Sequence, residues 1–358
     1  MDILLKKEYF VHPEQRFAEG KDVSATLIKY ATGVCGVKLC NRFGHITVLP
    51  FMGQMIWDAE FHGRSLKMRM PFSEPRDTES FLDTYGCYLM HCGALRMGCP
   101  TPQDTHALHG ELPCARYDSA HLVAGEDEQG EYIGVTGVFE YSRAFGDHYA
   151  ASPLVKLYAN STLLDISMHI ENLSNAPMEL MYLCHINYEA AAGGEIVQTL
   201  PWDTQHMELR YTVPQSMQAD DGFARFLKGI QDNIRTTEHI REQDMYDPEA
   251  VFYLHGPLTD AEGWAHFLYV HPDGSADYTS YRPAELDHCT RWISRTLDRS
   301  TLGLALPATA DADGYLAEKS KGNIKVIPPK GSFHATVRAG YLDPEQAERM
   351  KTTINTIR

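Results

Sequence analysis

The sequence predicts an all-β protein: a large antiparallel β-sandwich of the supersandwich kind, with a few short helices and a C-terminal helix. Three observations carry this reading. Short apolar–polar alternations recur along the chain, turn residues punctuate them, and helical periodicity is rare. In TLLDISMHIENLSN, Leu164, Ile166, Met168 and Ile170 point one way, and Asp165, Ser167, His169 and Glu171 the other. That strand stops at the turn cluster ENLSNAP. HITVLPFMGQMIWDAEFHGRSLKM reads as two or three strands with turns at Gly53 and His62-Gly63. YIGVTGVFEYSRAF and PLVKLYAN continue the pattern, and SFHATVRAGYL puts Phe333, Ala335 and Val337 on one face. Two segments break it. DGFARFLKGIQDNIR spaces Phe223, Phe226, Leu227 and Ile230 as a short surface helix. In LDPEQAERMKTTINTIR, Asp343 suits an N-cap, Pro344 the first helical position and Glu345 the first turn. Ala347, Met350, Ile354 and Ile357 then form a stripe expected to pack on the sheet edge. No repeat or low-complexity linker divides the chain, so residues 1–358 are read as one domain.

Composition narrows the function classes. With 43% hydrophobic and 22% charged residues, the chain is ordinary for a globular protein. No apolar run approaches the roughly 18 residues of a membrane span. The start, MDILLKKEYFVHPEQ, lacks a basic segment followed by an apolar one, so a cytoplasmic location is expected. None of the eight cysteines forms a CxxC pair, and most sit in apolar contexts as reduced thiols do. A net charge of −16 argues against nucleic acid and anionic membranes as partners and favours a neutral or uncharged-polar ligand. The sequence carries no signal for a particular oligomeric state.

Two clusters offer chemistry. MHCGALRMGCPTPQDTHALHGELPCARYD is rich in glycine, proline and polar residues, reads as loop, and brings His91, Arg96, His106, His109 and Glu111. LMYLCHINYEAAAGG opens as a buried strand. By alternation, Leu180, Tyr182 and Cys184 share one face, and His185, Asn187 and Glu189 the other. Histidines 91, 106, 109 and 185 could in principle hold a metal, but HxH and HExxH are absent and no metal is assigned. Trp57, Trp202, Trp264 and Trp292 are the tryptophans. An indole face packs well on a pyranose, and Trp292 is the candidate platform. No GxSxG, P-loop or GxGxxG is present.

In order along the chain come Leu108-His109-Gly110, the turn Asn172-Leu173-Ser174-Asn175-Ala176-Pro177, and the strand histidine His185. That order resembles the aldose 1-epimerase (galactose mutarotase-like) superfamily over about residues 43–341. The wording HCGALRMGCP, LHGELP and CHINY is closer to an uncharacterised branch than to the typical galactose enzymes. The resemblance implies a β-sandwich holding a small carbohydrate in a concave groove, with no metal or other cofactor. It also implies interconversion of α and β anomers through ring opening, with a base at the anomeric hydroxyl and an acid at the ring oxygen. A sugar-binding protein without turnover is the alternative. Carried over, His185 is the general acid and His109 contacts the sugar near the reacting carbon. Arg96 stands where the family often has a hydroxyl-binding arginine, and Asn187 and His106 are further contacts. The family's base is a glutamate on a late strand. Here TLGLALPATADADGY has Ala305 or Leu306 at that place, leaving Glu189 and Glu111 as substitutes.

Overall fold

The structure, a computed structural model, describes residues 1–212 and 221–358. Among them the strands form two large antiparallel sheets, one of ten strands and one of thirteen. The sheets face each other across a core in which Tyr182 of one packs on Phe333 of the other, ring centroids 6.0 Å apart. The predicted alternation of residues 164–171 is realised in the Leu163–Asn172 strand, where Leu164, Ile166, Met168 and Ile170 are buried.

The thirteen-stranded sheet carries the site. Five neighbours in its order are Tyr246–Leu254, His288–Arg295, Ser300–Ala308, Met178–Ile186 and Leu89–Ala94. These strands are buried on both faces, so Met178–Ile186 and Ser300–Ala308 read as largely apolar runs, whereas His288–Arg295 is polar in sequence yet equally buried. Alternation still sorts their side chains. Tyr182 and Arg291 point into the inter-sheet core, while Leu183, His185, Thr290 and Trp292 point to the opposite, concave face.

The C-terminal helix spans Pro344–Ile357 and starts with the predicted cap. Gln346 N donates to Asp343 Oδ1 at 2.9 Å, and Gln346 Oε1 accepts from Asp343 N at 3.1 Å. It does not lie along a sheet edge. It crosses the outer face of the ten-stranded sheet, where Val197, Leu268, Ala276, Tyr278 and Leu342 form an apolar patch that Ala347 and Ile354 cover. The helix expected at Phe223 spans Asp221–Asp232, with Phe223, Leu227 and Ile230 buried. A third, at Tyr315–Lys321, has no clear sequence signal and ends on Gly322 at φ +82°. No described helix is long and apolar enough to cross a membrane.

Candidate active site

The site begins with the Met178–Ile186 strand. It pairs with Leu89–Ala94, His185 opposite Met90, and Leu183 meets Ala308 on the other side. His185 is thus held between paired strands, buried, and turned to the concave face. Thr290 and Trp292 reach the same face from a strand that pairs Thr290 with Leu306. Glu249 and Val251 reach it from the next strand, where Val251 lies opposite Trp292.

Loops close a cavity over these side chains. Phe81, Leu82 and Tyr85 come from one, Cys99, Leu108 and His109 from another, and Arg210 and Ala312 complete the wall. The cavity is small, with about 70 Å³ of space for water-sized molecules, and its mouth opens to solvent. Leu89–Ala94, expected as loop, is a buried strand; the loop begins at Leu95. The His109-Gly110 turn needs both residues left-handed, φ +61° and +81°. A Cβ at Gly110 would collide with the Arg96 carbonyl oxygen, so only glycine fits. A non-glycine residue at positive φ is a strained position of the kind that gathers at binding sites, and here it aims the His109 ring into the cavity.

The ring contacts are close. His185 meets His109 edge-to-face at 5.2 Å and Trp292 at 5.5 Å. Tyr85 stacks on Trp292, centroids 5.9 Å apart and 15° between planes. Behind them is a buried ion pair. Glu249 binds Arg210 Nη2 through Oε1 and accepts the Trp292 indole N–H through Oε2 at 2.7 Å. Burial pushes His185 down to about 4, and burial with His185 and Arg210 nearby pushes His109 well below the usual imidazole range. Both rings are neutral at neutral pH. Four polar atoms of cavity residues are buried without a protein partner: His109 Nδ1, His185 Nδ1, Arg210 Nε and Thr290 Oγ1.

The structure thus brings His109, His185 and Trp292 into one cavity. Asn187 lies just behind it, fully buried, its amide oxygen 3.3 Å from the Tyr85 hydroxyl. Arg96 and His106 line neighbouring grooves instead. Arg96 sits over the Tyr315 ring at 3.6 Å and pairs with Glu179 at 3.3 Å. His106 Nδ1 lies 2.8 Å from the Ala107 carbonyl oxygen. His91 faces away from the cavity, 2.8 Å from the Tyr182 hydroxyl. Glu111 caps the Ala94 and Leu95 amides at 2.9 Å each and accepts from Tyr149 at 2.6 Å. Glu189 is partly exposed and lies 3.6 Å from Arg69. Neither stands across the cavity from His185; Glu249 is the carboxylate that lines it. Among the described residues, no group of three or more histidine, cysteine, aspartate or glutamate side chains is arranged to hold a metal. Asn172, first residue of the shared turn motif, is structural: its amide donates to the Ala176 and Ile327 carbonyls at 2.8 and 3.2 Å.

A family model described as a domain of unknown function, DUF4432, matches residues 33–339. The chain belongs to the DUF4432 family. No curated protein matches it. A provisionally assigned aldose 1-epimerase from Klebsiella pneumoniae subsp. pneumoniae superposes on this DUF4432 protein with a TM-score of 0.81 at 14% identity, covering 100% of this chain and 95% of the other. A galactose mutarotase-like protein from Clostridium acetobutylicum gives 0.61 at 11% identity, over 90% and 100% of the two chains. Galactose 1-epimerase from Lactobacillus acidophilus NCFM gives 0.53 at 12%, over 89% and 98%. The DUF4432 chain therefore has the galactose mutarotase-like sandwich fold.

The buried histidines predict an acid-sensitive stability. His91 and His185 are each lowered from 6.5 to about 4. Between these values the unfolded chain binds protons that the folded one does not, so stability is complete above pH 6.5 and is lost as pH falls toward 4. Each histidine accounts for on the order of 3 kcal/mol over that window. Asp311, raised by burial and Glu318 from 3.8 to about 6, acts in the opposite sense. Urea midpoints measured from pH 7 to 5 should fall, and His185→Gln should flatten the slope by about one proton.

Proposed function

We propose that this protein is an isomerase that interconverts the anomers of a free sugar or sugar derivative by acid–base ring opening. The observation that carries the reading is that four residues lining one cavity, His109, His185, Arg210 and Thr290, each hold a buried polar atom without a protein partner. That cavity is lined by Trp292, Tyr85 and Phe81. Unpaired buried polar groups cost about 1–3 kcal/mol each. A ligand with several hydroxyls supplies their partners, while the apolar face of a sugar ring packs on the indole. The ion pair leaves the cavity without net charge, since Arg210 offsets Glu249 and both histidines are neutral. This favours a neutral sugar. A carboxylate of Glu249 uses one lone pair per oxygen on Arg210 and Trp292, leaving others for sugar hydroxyls.

A sugar-binding protein without turnover is the second reading, favoured by Ala305 or Leu306 standing where the resemblance expects a carboxylate; Leu306 is the one that lines the cavity. NMR exchange between the anomers of several aldoses separates the two. Accelerated exchange supports the isomerase. Binding by calorimetry with exchange at the uncatalysed rate supports the binding protein, and neither binding nor acceleration with any sugar sinks both.

A further inference from the structure

This inference rests on the isomerase reading and assigns the proton steps within it. The orientation of Asn187 is settled by its neighbours. Its amide nitrogen donates to the Cys87 carbonyl oxygen at 3.2 Å and to the His185 carbonyl oxygen at 3.5 Å. Both partners only accept, so that end of the amide is the NH2 and the other end is the oxygen. The oxygen faces the Tyr85 hydroxyl at 3.3 Å. It too only accepts, so the Tyr85 proton points at Asn187. The Tyr85 oxygen then has only lone pairs to offer His185 Nε2, 3.4 Å away. Nε2 therefore carries the ring proton, and Nδ1, without a protein partner, carries the lone pair. The contacts are long, as catalytic hydrogen bonds often are before substrate binds. Tyr85 has little freedom to leave them, clamped as it is by Trp292 on one face and by Phe81 edge-on at 5.2 Å.

The cavity carboxylate is a poor rival for the proton, because each Glu249 oxygen already accepts one charged or indole N–H.

We infer that His185 is the base that opens the sugar ring, taking the anomeric proton on Nδ1, that Asn187 and Tyr85 are positioning residues holding it as the Nε2–H tautomer, and that Glu249 binds hydroxyls without moving a proton. The O1–H bond breaks and its proton goes to Nδ1. The O1 electron pair forms the C1=O double bond. The C1–O5 bond breaks, and O5 keeps that pair and takes the proton back from the cationic ring. O1 and O5 share carbon C1, so one imidazole serves both in turn. After rotation about C1–C2, the same steps in reverse close the other anomer, with no net proton consumed. The buried ring is neutral, so it gives up a proton from Nδ1 only after gaining one there, and burial disfavours the cation, so the proton is passed on to O5 rather than held. This gives the histidine both proton roles, one of which, the base, the sequence resemblance implies for a carboxylate.

The test is nitrogen NMR of the histidine-labelled protein, with His185→Gln used to assign the His185 signals. The expected spectrum has a pyrrole-type Nε2 and a pyridine-type Nδ1. Tyr85→Phe, which keeps the stacked ring, should mix the tautomers and lower kcat roughly tenfold or more with KM little changed. Glu249→Gln should raise KM and spare kcat. A wild-type His185 protonated at Nδ1, an unchanged tautomer in Tyr85→Phe, or a kcat loss in Glu249→Gln as large as in His185→Gln would overturn the inference. The tautomer is read without any sugar. An Nε2–H signal with no sugar turned over would therefore count against the isomerase reading and leave the positioning intact.

Discussion

Replacing His185 with alanine is expected to slow anomer exchange by about 10² to 10⁴-fold, the usual contribution of a positioned proton-transfer group. The loss should fall on kcat. In the proposed reading His185 acts on the reacting carbon, while hydroxyl binding falls to the other lining residues Arg210, Glu249, Thr290 and His109. Buffer imidazole offers a rescue, because the alanine leaves a ring-shaped space between Tyr85, Trp292 and His109. Arg96→Ala and His106→Ala are the informative controls. Both residues line grooves beside the cavity, so their effect on kcat should be far smaller. Exchange measured by NMR across these three variants decides the matter. If His185→Ala retains wild-type exchange, or if Arg96→Ala matches it, the proton step does not belong to His185.

The fold was legible because its elements follow local rules. The period of two in residues 164–171 and the Asp343–Gln346 cap are written in adjacent residues, and both are realised. The site was legible only in part. His185 stood out as a polar group in a largely apolar strand, and Trp292 as one of four tryptophans. What joins them could not be read along the chain. Glu249 meets Trp292 through a strand pairing, and Arg210 reaches Glu249 from 39 residues away. One signal did exist: DPEAVFYL places a glutamate at the head of an apolar strand, where an unpaired charge would be costly. Asn187 shows the opposite limit. Alternation put it on the groove face with His185, yet the strand ends at Ile186, and the Asn187 side chain turns back on Tyr85 and the Cys87 carbonyl. Arg96 and His106 were near His109 in sequence, but the left-handed turn at His109-Gly110 sends only the histidine inward.

Glu249→Ala is expected to destabilise the protein by about 3–5 kcal/mol, because it leaves the Arg210 charge buried without its counter-ion. The Trp292 N–H loses its acceptor in the same step, at a further cost of about 1–3 kcal/mol. Arg210 is poorly placed to escape to water: it is buried, and among the described residues its other side-chain hydrogen-bond partner is the weakly accepting Cys99 sulfur at 3.5 Å. The double replacement Arg210→Met with Glu249→Leu removes both charges and fills most of the volume. Buried pairs exchanged for apolar groups in this way are often neutral or better for stability, so the double variant should recover most of what the single one loses. Urea unfolding of the wild type, the single and the double variant measures the difference. Calorimetry with sugars supplies the other half. If the double variant is as stable as the wild type yet binds no sugar, the ion pair is held in the cavity for recognition and not for folding. If instead the double variant stays as unstable as Glu249→Ala, the pair is a structural brace of the Tyr246–Leu254 and His288–Arg295 strands, and its place beside His185 follows from the sheet alone.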